Sequence, residues 1–246
     1  MLAACGSFGG ASESEPPIDG GQNGDAAVVE EAGLDAGTDS VDGAVRRAKT
    51  CADFPNNIFC ADFEGQAPFF GWDEKQISPG SQLVAAPDAL RGGSVMRAVL
   101  GAEPPVASAQ LGTPLTNDSA AIFVRAYIRF EAAPVDSDYH ILLVLSEIEI
   151  GIENGGLLVN RFGAGPTFYE PASRPFPIGS WVCLQWALDA SSTSLSVDGE
   201  VVHSKMSPMT TAQSIRLGIR HASTTTAPTT VSFDDLVVST QPIGCD

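Results

Sequence analysis

The sequence predicts an all-β protein, a two-sheet antiparallel β-sandwich of the jelly-roll type, and three observations support this. First, apolar and polar residues alternate from Trp181 to Val202, where an Asp198-Gly199 turn precedes the last strand, as in half-buried strands joined by hairpins. Second, many short segments of this kind follow one another at regular spacing, with turn residues between them. Third, no amphipathic helix of ordinary length is visible, and strands without helices indicate a sandwich or jelly roll.

The individual strands are predicted from the same alternation and from the turn residues that bound it. Asn154-Gly155-Gly156 lies between two of them and favours a hairpin there, because Gly and Asn tolerate the backbone of tight turns. In chain order the predicted strands are Asn57–Glu64, Ser94–Leu100, Ala107–Leu111, Ile122–Phe130, Ile141–Glu153 as one strand or two, Leu157–Phe162, Trp181–Asp189, Ser194–Val197, Glu200–Met206, Ser214–Arg220 and Val231–Ser239.

The first fifty residues differ from the rest in composition. The stretch from Ser7 to Val45 contains nine acidic residues, no Lys or Arg and one aromatic residue, so it cannot bury enough apolar area to offset its ordering entropy. We therefore predict a disordered acidic tether over residues 6–50 and one globular domain over residues 51–246. Residues 1–5 read MLAAC and resemble a bacterial lipobox, in which Cys5 is lipidated. The basic and apolar segments of a signal peptide do not precede it, and an upstream start codon would explain this.

The four cysteines after Cys5 allow three pairings. Their spacing does not suit a zinc site, and in an exported protein two disulfides are the default. We predict Cys51–Cys60, which closes a short local loop, and Cys183–Cys245, which joins the end of the chain to a central strand.

The order of several motifs carries a family resemblance. They are CADFEG, GGSVMRAVL, an arginine-bearing strand, ENGGLLVN, WVCLQWALD, SLSVDGEVV and the closing strand VSFDDLVVS. This order resembles the concanavalin A-like lectin/glucanase superfamily, and within it the laminin-G-like domains of bacterial surface lipoproteins. The resemblance covers residues 51–246 and implies the sandwich fold. It implies no single activity, because the superfamily includes lectins, hydrolases, lyases and inert adhesion modules.

Two predicted strands each place arginines on one face. If both faces line the concave side of the sandwich, their side chains meet in a groove, where Arg binds carboxylate or sulfate and Tyr stacks on sugar rings. The alternative is that these arginines form cross-strand ion pairs with Glu147, Glu149 and their neighbours. The predicted ligand-binding residues are Arg125, Tyr127, Arg129, Arg216 and Arg220.

An enzyme would have to use the acidic run SEIEIGIE. On a strand, Glu147, Glu149 and Glu153 share one face, which resembles the alternating acids of the superfamily's retaining endoglucanases. The pattern departs from that family, which has Asp in the middle and its third acid earlier. Glu147 and Glu149 start about 7 Å apart along a strand and could cooperate, since retention needs carboxyls about 5–5.5 Å apart. The alternative is a solvent-facing strand edge, and no catalytic residue is favoured.

A calcium site is a further possibility, because laminin-G-like domains often hold one. Its candidate ligands are Asp198, Asp234 and Asp235, whose alternative roles lie in turns and strand ends. No other cofactor is expected.

Three functions remain open. The first is non-catalytic binding of a glycan or another extracellular ligand, the second a glycoside hydrolase or polysaccharide lyase, and the third a structural surface module. The net charge of −17 argues against nucleic acid and anionic membranes as partners, so membrane contact is expected only through a lipid anchor. The predicted location is the cell envelope, as an outer-membrane lipoprotein or at the cell surface.

Overall fold

The computed structural model describes residues 51–65, 67–101, 107–116, 118–132, 139–162, 168–206, 212–221 and 228–245. The predicted tether over residues 6–50 and the lipidation site Cys5 lie outside these residues. The described part of the chain consists of β-strands and one 3₁₀ turn, Cys51–Asp53. Within it there is no helix long and apolar enough to cross a membrane.

The strands follow one another along the chain with short connections. They are β1 Asn57–Ala61, β2 Glu74–Ile77, β3 Gln82–Asp88, β4 Gly93–Leu100, β5 Ser108–Pro114, β6 Ala121–Phe130, β7 His140–Leu145, β8 Ile148–Glu153, β9 Gly156–Arg161, β10 Phe168–Pro175, β11 Val182–Asp189, β12 Ser192–Val197, β13 Glu200–Met206, β14 Ser214–His221 and β15 Thr229–Ser239.

These strands form two antiparallel sheets, which confirms the predicted sandwich. Sheet A has the order β13-β12-β11-β6-β15-β4-β3, and β1 also pairs with β15. Sheet B has the order β10-β9-β8-β7-β14-β5-β2. The face of each sheet that is turned away from the core is called its outer face below.

The core lies between the two sheets and is built from alternate residues of every central strand. On β6 the inward residues include Val124, Ala126 and Ile128, and on β14 they include Leu217 and Ile219, all of them buried. Burying each large aliphatic side chain contributes about 1.5–3 kcal/mol. The period-2 alternation means that the residues between them must face outward. The core therefore determines which side chains each outer face presents.

Three strands were not predicted, and all three lie at sheet edges. β2 has no buried residue, so it lacks the alternation that indicates a strand. β10 contains Pro171 and Pro175, and proline within a segment argues against a strand except at an edge. β3 is also half exposed. The undecided segment Ile141–Glu153 is two strands, β7 and β8, joined by a turn at Ser146-Glu147.

Both predicted disulfides are confirmed. Cys51 is bonded to Cys60, with Cα atoms 5.6 Å apart, and Cys183 to Cys245, with Cα atoms 5.9 Å apart. The second bond holds the end of the chain against β11 on the outer face of sheet A. Next to it, Gln185 Nε2 donates a hydrogen bond to the Ile243 carbonyl oxygen at 2.5 Å.

Candidate functional site

The two predicted sets of arginines lie on opposite sides of the molecule. Arg125 and Arg129 are on β6 of sheet A, whereas Arg216 and Arg220 are on β14 of sheet B. The residues between them pack in the core, so both sets point away from it, in opposite directions. The expectation that they meet in one groove is therefore corrected, because an alternating strand can present its polar residues only on its own sheet's outer face.

On the outer face of sheet A the guanidinium of Arg125 is covered by the two ends of the domain. Arg125 is 1% exposed. Its Nη1 donates to the Gly244 carbonyl oxygen at 3.2 Å, and its Cζ lies 4.5 Å from the centre of the Phe54 ring. A ligand could reach this side chain only by displacing both terminal segments.

Tyr127 is covered in turn by an arginine from the β3–β4 connection. The guanidinium of Arg91 lies 3.8 Å from the centre of the Tyr127 ring and forms ion pairs with Asp234, at 2.8 Å, and with Asp235. Burial, and then the neighbouring charge of Asp235, raise the pKa of Asp234 to about 7, although Arg91 opposes the shift. Arg91 thus offsets part of the negative charge of the acidic pair inside the protein.

Arg129 is also engaged on this face. Its Nη2 lies 2.7 Å from Asp88 Oδ2, and Trp181 Nε1 donates to the other oxygen of the same carboxylate at 3.3 Å. Arg129 therefore follows the ion-pair alternative, with Asp88 as its nearest partner in place of Glu147 and Glu149.

The three candidate calcium ligands do not come together in one site. Asp198 lies in the β12–β13 turn, where its Oδ1 accepts a hydrogen bond from the Cys183 amide at 2.9 Å. Asp234 and Asp235 already hold a cation, the guanidinium of Arg91. In the described part of the chain, no group of three or more His, Cys, Asp or Glu residues could hold a metal ion. The donor set on this face therefore does not fit calcium.

The outer face of sheet B carries a continuous row of residues across all seven strands. The residues are cross-strand partners in successive pairs, so they share one face and one level of the sheet. From β2 to β10 the row is Glu74, Gly112, Arg216, Val144, Glu149, Asn160 and Tyr169.

A pair of tyrosines, Tyr139 and Tyr169, lies at the β10 end of this row. The Tyr139 and Tyr169 rings meet edge to face, with centroids 5.8 Å apart, and Tyr169 is 49% exposed. Tyr139 lies directly over Gly151, since a Cβ there would come within 2.5 Å of the ring. Only a glycine at this position leaves room for the ring so close to the strand.

Two carboxylates, those of Glu149 and Glu153, lie near the two phenols. Glu149 is buried and accepts a hydrogen bond from Asn160 Nδ2 at 2.6 Å. Burial and the charge of Glu149 raise the pKa of Tyr139, and burial and Glu153 raise the pKa of Tyr169. Both phenols therefore keep their protons at neutral pH and are not poised as bases.

Glu147 and Glu149 do not form the expected pair on one strand face. Glu147 lies in the Ser146-Glu147 turn, before β8 begins, and its carboxylate is 3.6 Å from Arg161 Nη2. Glu149 lies on the strand and is bonded to Asn160. The turn breaks the alternation on which the expectation depended.

Sequence reasoning assigned Tyr139 and Tyr169 no role. Tyr139 precedes a strand, and Tyr169 lies on the proline-containing edge strand that was not predicted. The sequence did predict β8, the strand on which Tyr139 packs. A glycine within a strand can mark a place where another group comes close to the backbone, so Gly151 was the one available sign of this contact.

No protein-family model matches this chain, and no curated protein does. Solved structures share its fold. A cellulose-induced protein, Cip1, is 19% identical, with 76% of this chain and 100% of that chain covered and a TM-score of 0.57. The binding domain of Paraclostridial Mosquitocidal Protein 1 is 13% identical, covering 77% of this chain and 50% of that one, with a TM-score of 0.54.

A botulinum neurotoxin type C structure, from a toxin whose cell entry depends on interaction with two ganglioside molecules, is 9% identical. It covers 78% of this chain and 50% of the other, with a TM-score of 0.55. The chain thus spans the whole of Cip1 and about half of these toxin binding domains. At such identities the likeness is one of fold, and the chain shares the β-sandwich fold of these proteins.

Proposed function

We propose that residues 51–246 are a non-catalytic carbohydrate-binding module whose ligand lies across the strands on the outer face of sheet B. The observation that carries this proposal is the row from Glu74 to Tyr169, with the half-exposed Tyr169 beside Tyr139. Tyrosines offer a flat apolar ring and a hydroxyl, which suits a sugar with its apolar ring faces and polar edges.

The length of the row supports an oligosaccharide as the ligand. Seven strands give six spacings of about 4.8 Å, or about 29 Å from end to end. The polar groups along it, from Arg216 through Asn160 to Tyr169, can accept or donate hydrogen bonds at several points. A small molecule would engage only a fraction of them.

Two features favour binding over the hydrolase or lyase alternative. Glu147 and Glu149 have different partners, Arg161 and Asn160, so they are not poised on either side of one bond. The raised pKa of Tyr139 keeps its phenol protonated, which makes it a poor general base. The names of the neighbours, a cellulose-induced protein and a toxin that interacts with gangliosides, also point towards carbohydrate.

We further propose that the protein is exported and held in the cell envelope by a lipid on Cys5, with residues 6–50 as the spacer. The two disulfides support an oxidising compartment. The net charge of −17 makes nucleic acid an unsuitable partner.

A glycan array probed with the full chain tests the binding proposal. We expect retention on at least one class of polysaccharide, and at least about tenfold weaker retention for Tyr169→Ala, because stacking on the ring is lost. Leu90→Ala removes an exposed apolar side chain from the β3–β4 turn of sheet A and serves as the matched control.

Two results would contradict the proposal. If no glycan is retained, the structural-module alternative is favoured. If the wild type releases reducing ends or unsaturated products from a retained polysaccharide, and Glu149→Gln stops the release, the enzyme alternative is favoured.

A further inference from the structure

We infer that the outer face of sheet B contains an oxyanion subsite at Gln110, Arg216 and Arg220, which takes the carboxylate or sulfate of an acidic sugar. This inference rests on the proposed function and names its ligand class. It depends on residues of β5 and β14, away from the tyrosine pair.

The first observation is the buried amide of Gln110. Gln110 is 2% exposed, and its Nε2 has no hydrogen-bond acceptor among the described residues. Its neighbours Ala109 and Leu111 are in the core, so Gln110 faces the outer side of the sheet. A buried donor without an acceptor destabilises a fold, so such a group in a native protein calls for an explanation. A ligand oxygen would satisfy it.

The second observation is the glycine opposite Gln110. Its partner on β14 is Gly218, which has no side chain. A Cβ at Gly218 would lie 2.2 Å from the Ala109 carbonyl oxygen, and its φ of +138° also disfavours any other residue. Gly218 therefore places no side chain beside Gln110 on β14, and the cross-strand neighbour on the other side, on β2, is Gln76.

The third observation is that two arginines flank this glycine on β14. Arg216 and Arg220 lie two residues before and after Gly218, on the same face, which makes them diagonal neighbours of Gln110 about 7–8 Å away between Cα atoms. The buried Nε of Arg220 has no acceptor among the described residues. Arg216 pairs with Glu74 at 3.2 Å, but these side chains are 46% and 63% exposed, so a ligand can replace the carboxylate at little cost.

The chemistry of this group selects an oxyanion. A side-chain NH₂ and two guanidiniums are donors, two of the three residues are positively charged, and guanidinium binds carboxylate or sulfate with two parallel hydrogen bonds. Glu149 lies on β8, two strands from β14, so its charge is about 10 Å away. The acidic group of a sugar would therefore bind over β5 and β14, with the rest of the chain extending towards Tyr169.

The test measures binding of matched acidic and neutral oligosaccharides to the full chain by calorimetry at low salt. One pair is oligogalacturonate and its methyl ester, and the other is a carrageenan oligosaccharide and its desulfated form. We expect the acidic member of at least one pair to bind about tenfold tighter or more, since hydrogen bonds to charged groups are strong. The pair that shows the preference identifies carboxylate or sulfate as the ligand group.

Two variants test which residues produce the preference for acidic over neutral oligosaccharides. Gln110→Leu replaces the side chain by one of similar volume and removes the donor. We therefore expect an unchanged or higher melting temperature, and a ratio of acidic to neutral affinity near one. Arg220→Gln should also reduce the preference severalfold, and it keeps the test valid if Gln110→Leu fails to fold. Arg97→Gln, on the outer face of sheet A, is the control and should leave the preference intact.

The outcomes separate the two proposals. If neutral sugars bind but the acidic forms bind no better, or if the preference survives in both variants, the subsite is disproved and the binding proposal stands. If neither form of either pair binds and the array shows no other glycan, the proposed function fails, and the subsite with it.

Discussion

The outer faces of the two sheets carry the same residue types on their central strands and use them differently. β6 alternates apolar residues with Arg125 and Arg129, and β14 does so with Arg216 and Arg220. On sheet A the arginines are enclosed: Arg125 by Phe54 and Gly244, and Arg129 by its pair with Asp88. On sheet B, Arg216 and Tyr169 remain about half exposed.

For Arg125 this difference arises from the two terminal segments of the domain. Disulfides hold both terminal segments of the domain, and the C-terminal one hydrogen-bonds to side chains on the outer face of sheet A. An arginine on a half-buried strand is thus uninformative about binding until the segments that cover it are known. The comparison supports the proposal that sheet A is the scaffold and sheet B the binding face.

The largest expected effect on the free energy of unfolding comes from removing the disulfide that holds the C-terminal segment against sheet A. Replacing Cys183 and Cys245 by alanine opens a loop with a sequence separation of 62, against 9 for Cys51 and Cys60. The chain-entropy relation predicts losses of about 4 and about 2.5 kcal/mol respectively. Urea denaturation of the two double variants measures both. Equal losses would show that the C-terminal segment is not a main support of this face.

The next effect concerns the buried ion pairs. Arg91→Ala leaves Asp234 and Asp235 without their cation, and we expect a loss of about 3 kcal/mol at pH 8. Arg216→Ala breaks an exposed pair on sheet B and should cost less than about 0.5 kcal/mol. Denaturation of both variants gives the comparison directly. Similar losses would remove the distinction between the two faces.

A pH dependence of stability should accompany the same cluster. The pKa of Asp234 rises from 3.8 to about 7 on folding, so the folded state binds the proton more tightly than the unfolded state. The stability that this gives is present below about pH 4 and is lost as the pH rises through about 7. Thermal unfolding between pH 4 and 8 should therefore show a decline that Asp234→Asn flattens. An unchanged slope in the variant would contradict the assignment to this residue.

The smallest expected effect on stability is at the proposed binding face. Tyr169→Ala removes a half-exposed ring at a sheet edge, and we expect a change within about 0.5 kcal/mol despite the loss of glycan retention. The melting temperature measures it. A large destabilisation would mean that the tyrosine pair is a structural element of sheet B, with no need of a ligand to explain it.

Part of the site could be predicted from alternation alone. Arg216 and Arg220 were correctly placed together on one face, because period 2 determines which residues share a side of a strand. Alternation does not say which sheet a strand joins, so it could not separate them from Arg125 and Arg129. It also missed Tyr169, because edge strands such as β10 need no buried face and tolerate proline.

The sequence by itself determined the sandwich fold, the central strands and both disulfide pairs, because these depend on local patterns and on a few cysteines. Only the tertiary structure decided which outer-face residues are covered and which stay exposed, that Arg91 pairs with Asp234 and Asp235, and that Gln110 lies opposite a glycine. Those facts depend on which strands pair within each sheet and on where the terminal segments of the domain pack. Such contacts join residues far apart in sequence, so no local pattern records them.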